Sequence, residues 1–164
     1  MGNHSNLRKP VFPIILTMGT LLAFVFFCPR SDAIVYTYGV KVQVMQIFAT
    51  REGKEEMDPN IPKSVASYLR RKFKSRYKNY TYINTETQAG SFGEELTFPL
   101  TYDKTLILTS VSHRERWINM KLQLDFQVQL MRVSSGKYGS AVIGIPEKGT
   151  LILVIRPSLI QAKR

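Results

Sequence analysis

Cysteine is almost missing from this chain: Cys28 is the only one in 164 residues. Histidine is nearly as scarce, with His4 and His113 the only two. Past residue 33, where His113 stands alone, a zinc centre built from cysteine and histidine is excluded, and so is a catalytic cysteine. A Ser-His-Asp arrangement would have to use His113. The sequence places it in a turn over 113–116 beside Arg114 and Arg116, where neighbouring cations disfavour the imidazolium such a mechanism forms. His113 is therefore read as a surface histidine. No glycine-rich phosphate loop is present, because Gly136, Gly139, Gly144 and Gly149 are spaced as turn and strand punctuation.

Acids are few, 12 against 23 lysines and arginines. Their only dense cluster is Glu52, Glu55, Glu56 and Asp58, which lacks the regular ligand spacing and glycine placement of calcium loops. It is read as a solvated loop that brings negative charge to a helix N-terminus. Glu94 and Glu95 are adjacent and would point apart on a strand, so a carboxylate pair for glycoside chemistry does not follow. No cofactor or metal is expected.

The N-terminus predicts export. Arg8 and Lys9 precede an apolar run at 11–28, and Ser31 and Ala33 give the small-residue form of a cleavage site. A signal peptide over 1–33, cut after Ala33, is the preferred reading. The run is long for a signal core, so an uncleaved membrane anchor at 11–28 is the alternative. A lipid-attached Cys28 is disfavoured by the bulky Phe27 before it. Residues 34–164 then form a single domain, large enough for a core yet without a disulfide to staple it. That favours the periplasm or the extracellular space of a bacterial-type envelope. Of the 23 basic and 12 acidic residues, all but Arg8, Lys9, Arg30 and Asp32 lie in this part, a net charge of +9.

Period-two alternation organises the domain. Ile118, Met120, Leu122, Leu124, Phe126, Val128 and Leu130 alternate with polar residues, predicting one long strand over 118–130. At ~3.3 Å per residue it would run roughly 43 Å, enough to pair first with a strand at 104–112 and later with one at 138–145. Leu122, Leu124, Phe126 and Val128 are expected in one core, with Val65 and Leu69 of a helix against the same sheet. On that reading Phe126→Ala costs about 3–5 kcal/mol. A first strand over 35–49 is expected to be central, because Val40, Val42 and Val44 alternate before apolar content thickens at Met45, Ile47 and Phe48. Further strands are expected at 79–85 and 96–98, with a loop at 88–93 and a tight hairpin at 134–137. A closing strand at 150–155, apolar on both faces, is stopped by Pro157.

Between the first two strands, Ile61, Val65, Tyr68, Leu69 and Phe73 fall on one side of a 3.6-residue period. Asp58 or Asn60 can cap this helix, with Pro62 at an early position. Lys63, Arg70, Arg71, Lys74 and Lys78 gather opposite the apolar side, facing solvent. They belong to a run of seven basic residues and no acid over 63–78. A solvated face and a site for an anionic partner weigh evenly there. Trp117, Tyr77, Tyr80 and Tyr82 interleaved with cations could form a nucleic-acid platform. Cross-strand packing is the stronger reading, so nucleic acid is not an expected partner.

The fold class expected is α+β, a mostly antiparallel β-meander sheet with one amphipathic helix packed on it; a β-sandwich is the alternative. The function expected is that of an exported, non-enzymatic envelope accessory or interaction protein. Its basic helix face would meet anionic lipid, an envelope polymer or an acidic protein. The alternatives are a subunit of a larger envelope assembly, pairing through an exposed sheet edge, and an enzyme acting on an envelope polymer.

Val42-Gln43-Val44-Met45-Gln46, Met57-Asp58-Pro59, and Tyr68-Leu69 with Phe73, Tyr77 and Tyr82 carry a resemblance over roughly residues 40–156. The chain resembles an uncharacterised group of small exported β-rich proteins of Gram-negative bacteria such as the deltaproteobacteria. Its motifs are short and structural. The resemblance implies a compartment and an architecture and gives no chemistry.

Overall fold

The computed structural model describes residues 36–146 and 148–163. The leader or anchor expected at 1–33 lies outside them. Among the described residues no helix is long and apolar enough to cross a membrane. The elements are β1 (Tyr36–Thr50), β2 (Glu56–Met57), α1 (Lys63–Phe73), β3 (Asn79–Ser91), β4 (Glu95–Leu100), β5 (Lys104–Arg114), β6 (Trp117–Leu124), β7 (Gln127–Ser134), β8 (Gly139–Ile145) and β9 (Gly149–Lys163). The strands form two sheets, ordered β2-β3-β1-β9-β8 and β4-β5-β6-β7. Every pairing is antiparallel except that of β2 with β3.

Why three layers result can be read along β1 and β9. Val40, Val42 and Val44 turn to the second sheet with Leu151, Leu153 and Ile155, and meet Phe98, Leu106, Leu108, Ile118, Met120 and Leu122. The opposite face of β1 changes character halfway. Lys41 is exposed and Gln43 half-buried, whereas Met45, Ile47 and Ala49 are buried with Ile152 and Val154 under Val65, Leu69 and Phe73 of α1. The thickening of apolar residues after Val44 marks where the helix begins to cover the sheet. The chain is thus mostly β with a single short helix among the described residues. Two sheets and one helix are consistent with either expected architecture, and only the second sheet, β4-β5-β6-β7, is a meander.

The long strand expected at 118–130 is instead a hairpin. β6 ends at Leu124, Asp125 and Phe126 form the turn, and β7 begins opposite, with Leu124 facing Gln127. Asp125 supplies the positive φ (49°) that such tight turns require. A two-residue turn sets residue i against i+3, so it exchanges the parity of the buried face. On β6 the even residues Ile118, Met120 and Leu122 are buried. On β7 the odd Val133 is buried and Met131 half-buried. Phe126, Val128 and Leu130 are therefore 103%, 58% and 79% exposed, and the expected common core with Leu122 is wrong. Val65 and Leu69 are buried as expected, but against the other sheet.

Other boundaries move for physical reasons. β3 runs through the expected loop at 88–93 as far as Ser91 because β1 pairs with it as far as Gly39. The segment 134–137 is no hairpin: it carries the chain from β7 in one sheet to β8 in the other, where β8 pairs with β9. Pro157 does not stop β9, which continues beside β1 to Lys163. Its carbonyl accepts from the Gly136 N–H (2.7 Å), on the side away from β1, so the missing proline N–H costs no rung of that ladder.

Candidate functional site

The helix face is the site the sequence singles out. Val65, Leu69 and Phe73 anchor α1, and the chain leaves the helix at Lys74, whose φ is 48°. Lys63, Arg70, Arg71, Lys74 and Lys78 are all exposed. Their environments differ. β2 lies parallel to the start of β3, with the Glu56 N–H donating to the Lys78 carbonyl (3.0 Å). That pairing swings Glu55 and Glu56 into one small cleft with Arg70, Lys78 and Tyr80. The acidic loop, expected near Lys63 at most, thus reaches the far end of the helix. Lys63, Arg71 and Lys74 do not line that cleft. Of the other two cations in the run, Arg76 lies over the Tyr77 ring (5.8 Å) and Lys72 turns toward the β7 edge.

Asp58 does not cap α1. Its carboxylate accepts from the N–H groups of Asn60 (2.8 Å) and Tyr82 (3.0 Å), binding the turn before the helix to the outer edge of β3. These two backbone donors hold its carboxyl below the usual carboxylate range. Burial pushes the Tyr80 hydroxyl up, helped by Tyr77 and Glu55. Neither group is a carboxylic acid kept protonated near neutral pH. A surface hollow of about 640 Å³ between the 49–53 and 148–150 segments is lined, among the described residues, by one carboxylate, Glu52. Among the described residues no cluster of three or more His, Cys, Asp or Glu side chains could hold a metal.

The remaining sequence candidates are not brought together. His113 lies at the end of β5, its ring between Tyr38 (5.3 Å) and Phe92 (5.0 Å); the turn itself is Glu115-Arg116. Tyr77 meets Phe73 and Tyr80 edge-on in the core under α1, whereas Trp117 lies on the other sheet beneath Arg132. No aromatic platform forms.

A feature the sequence reading missed lies at the sheet edges. Side chains close the outer edge of β4: Gln88 donates to the Thr97 carbonyl (2.6 Å) and Gln46 to that of Pro99 (2.8 Å). The Gln46 carbonyl also accepts from the Thr101 N–H and hydroxyl, both at 3.0 Å. Pro99 itself has no N–H to leave unpaired. A buried glutamine between Met45 and Ile47 was the available signal, because a buried amide needs partners.

At the opposite edge of the same sheet β7 has no such cover. The tight turn makes Leu124 and Gln127 a bonded pair, and the Ser135 N–H donates to the Arg116 carbonyl (2.6 Å), which fixes the alternation. The backbone groups of Val128, Leu130 and Arg132 therefore point away from β6, and among the described residues nothing bonds to them. Beside this edge runs a groove of about 430 Å³, lined among others by Tyr68, Lys72, Trp117, Arg132 and Tyr138. Gly139 lets the two sheets approach there, since a Cβ would stand 2.6 Å from the Met131 sulfur.

No protein family, curated protein or solved structure matches this chain.

Proposed function

We propose that the protein is an exported, non-enzymatic accessory or interaction protein of the cell envelope whose cationic helix face meets an anionic partner. The observation that carries this reading is the exposure of Lys63, Arg71 and Lys74 on a helix whose opposite side is committed to the core. Like charges held together on a rigid helix repel one another and favour any surface that supplies counter-charge. Arg70 and Lys78 contribute less, because Glu55 and Glu56 stand beside them. The open β7 edge favours a second reading, a subunit of a larger assembly.

Co-sedimentation with vesicles containing anionic lipid, at low and moderate salt, tests the first reading. Each Lys or Arg near such a surface is worth about 1 kcal/mol, and the Debye length shrinks with salt. Charge reversal at Lys63, Arg71 and Lys74 should abolish weak binding, and reversal at Lys41, Arg51 and Lys54 should leave most of it. Equal loss in both sets, or no binding by the unaltered protein, overturns the proposal.

A further inference from the structure

We propose that the β7 edge is a strand-addition site for an extended, acidic segment of a partner protein. A sheet edge left open is a template for any other chain, and soluble proteins commonly blunt such edges with lysine, proline or a bulge. β7 carries none of these: its register with β6 is unbroken from Gln127 to Ser134. Instead it presents Val128 and Leu130, 58% and 79% exposed, beside free backbone donors and acceptors. The same sheet's other edge is closed by Gln46 and Gln88, so the open edge is not a general property of this fold.

The occupant follows from charge. Lys72 and Arg132 line the groove, and among the described residues no carboxylate does. Arg156 adds a third cation, lying over Tyr138 at 5.6 Å. A second copy of this chain would bring the same cations to the same edge, in a molecule of formal net charge +11. An acidic strand answers them. Residues of an added strand opposite Val128, Leu130 and Arg132 share their outer face; those between project over the groove toward Tyr68, Tyr138 and Lys72. The fitting segment is therefore apolar opposite Val128 and Leu130, acidic opposite Arg132 and above Lys72, and free of proline where it must donate. This site is separate from Lys63, Arg71 and Lys74, and it stands whether or not the helix face binds anything.

The probe is a labelled ten-residue valine–glutamate peptide, with valine opposite Val128 and Leu130 and glutamate opposite Arg132 and at the positions above Lys72; binding is read by fluorescence anisotropy. It should bind the unaltered protein, less tightly as salt rises, and slow the amide exchange of Val128, Leu130 and Arg132. The Leu130 N–H points away from β6, so Leu130→Pro removes no rung of the existing ladder. It should weaken binding at least about tenfold while the melting temperature stays near that of the parent. Leu130→Thr keeps the N–H and should keep the binding. Arg132→Glu, which alters no backbone group, should also weaken it and serves if the proline variant fails to fold. A valine–lysine peptide should not bind. Equal binding of the two peptides, unchanged affinity in Leu130→Pro or Arg132→Glu, or no binding at all overturns the proposal. So does a dimer in sedimentation that Arg132→Glu or Leu130→Pro alters, which would assign the edge to a second copy.

Discussion

β4 and β7 bound the same four-stranded sheet, and both begin by alternating polar and apolar residues, yet they end it in opposite ways. On β4, Leu96, Phe98 and Leu100 are buried, while the outward carbonyls of Thr97 and Pro99 accept from side-chain amides of the first sheet. On β7 only Val133 is buried, and the outward backbone groups of Val128, Leu130 and Arg132 form no hydrogen bond with any described residue. Asp58 closes the edge of β3 in the β4 manner, its carboxylate taking the N–H of Tyr82. Strand pattern therefore does not decide whether an edge is available. That depends on whether a distant polar side chain arrives to satisfy it, as Gln46 does from 53 residues away.

Substitutions at five positions sharpen or break this contrast. The largest effect is expected at Phe98, fully buried on β4. Phe98→Ala should lower the unfolding free energy by about 3–5 kcal/mol in a denaturant titration, whereas Phe126→Ala and Leu130→Ala should each stay within about 0.5 kcal/mol. Comparable losses on both sides would mean β7 is covered after all. Next comes Gln46→Ala, which removes a buried amide and its bonds to the carbonyl of exposed Pro99 and the N–H of half-buried Thr101, where water can replace part of the loss; about 1–2 kcal/mol is expected, and a loss under about 0.5 kcal/mol would show that the amide bridge is not what closes that edge. The smallest concerns Asp58. Its folded-state pKa lies below the ordinary 3.8, so its contribution is full above that value and is lost as pH falls through the folded pKa. Asp58→Asn should flatten the decline of melting temperature below about pH 4 and change little near neutrality. An unchanged acid limb would remove Asp58 from the set of edge closures.

Much of the layering was legible in residues. The apolar run 151–155 announced a strand covered on both faces, and the change of pattern after Val44 marked the limit of the helix. The hairpin at Asp125-Phe126 was hidden because neither residue is a glycine, proline or asparagine, and because alternation runs straight through a two-residue turn while the buried parity switches. The gathering of Glu55 and Glu56 into one cleft with Arg70 and Lys78 was equally invisible. It depends on a two-residue parallel pairing, Glu56 with Asn79 and Met57 with Tyr80, too short to leave a pattern. The exposed cations of the helix could be read from a wheel; which of them lie beside acids could not.

The pairing of β1 with β9 has a mechanical consequence. The two strands run antiparallel in fourteen rungs, with Tyr36 against Lys163 at one end and Ala49 against Thr150 at the other. A load applied between residues 36 and 163 therefore pulls on the first rung alone, and each later rung bears tension only after the one before has opened. Such a ladder peels like a zip under low force. A load entering at the opposite end of one strand would instead shear many rungs at once. The direction of pull, with the same bonds, sets how firmly this protein holds.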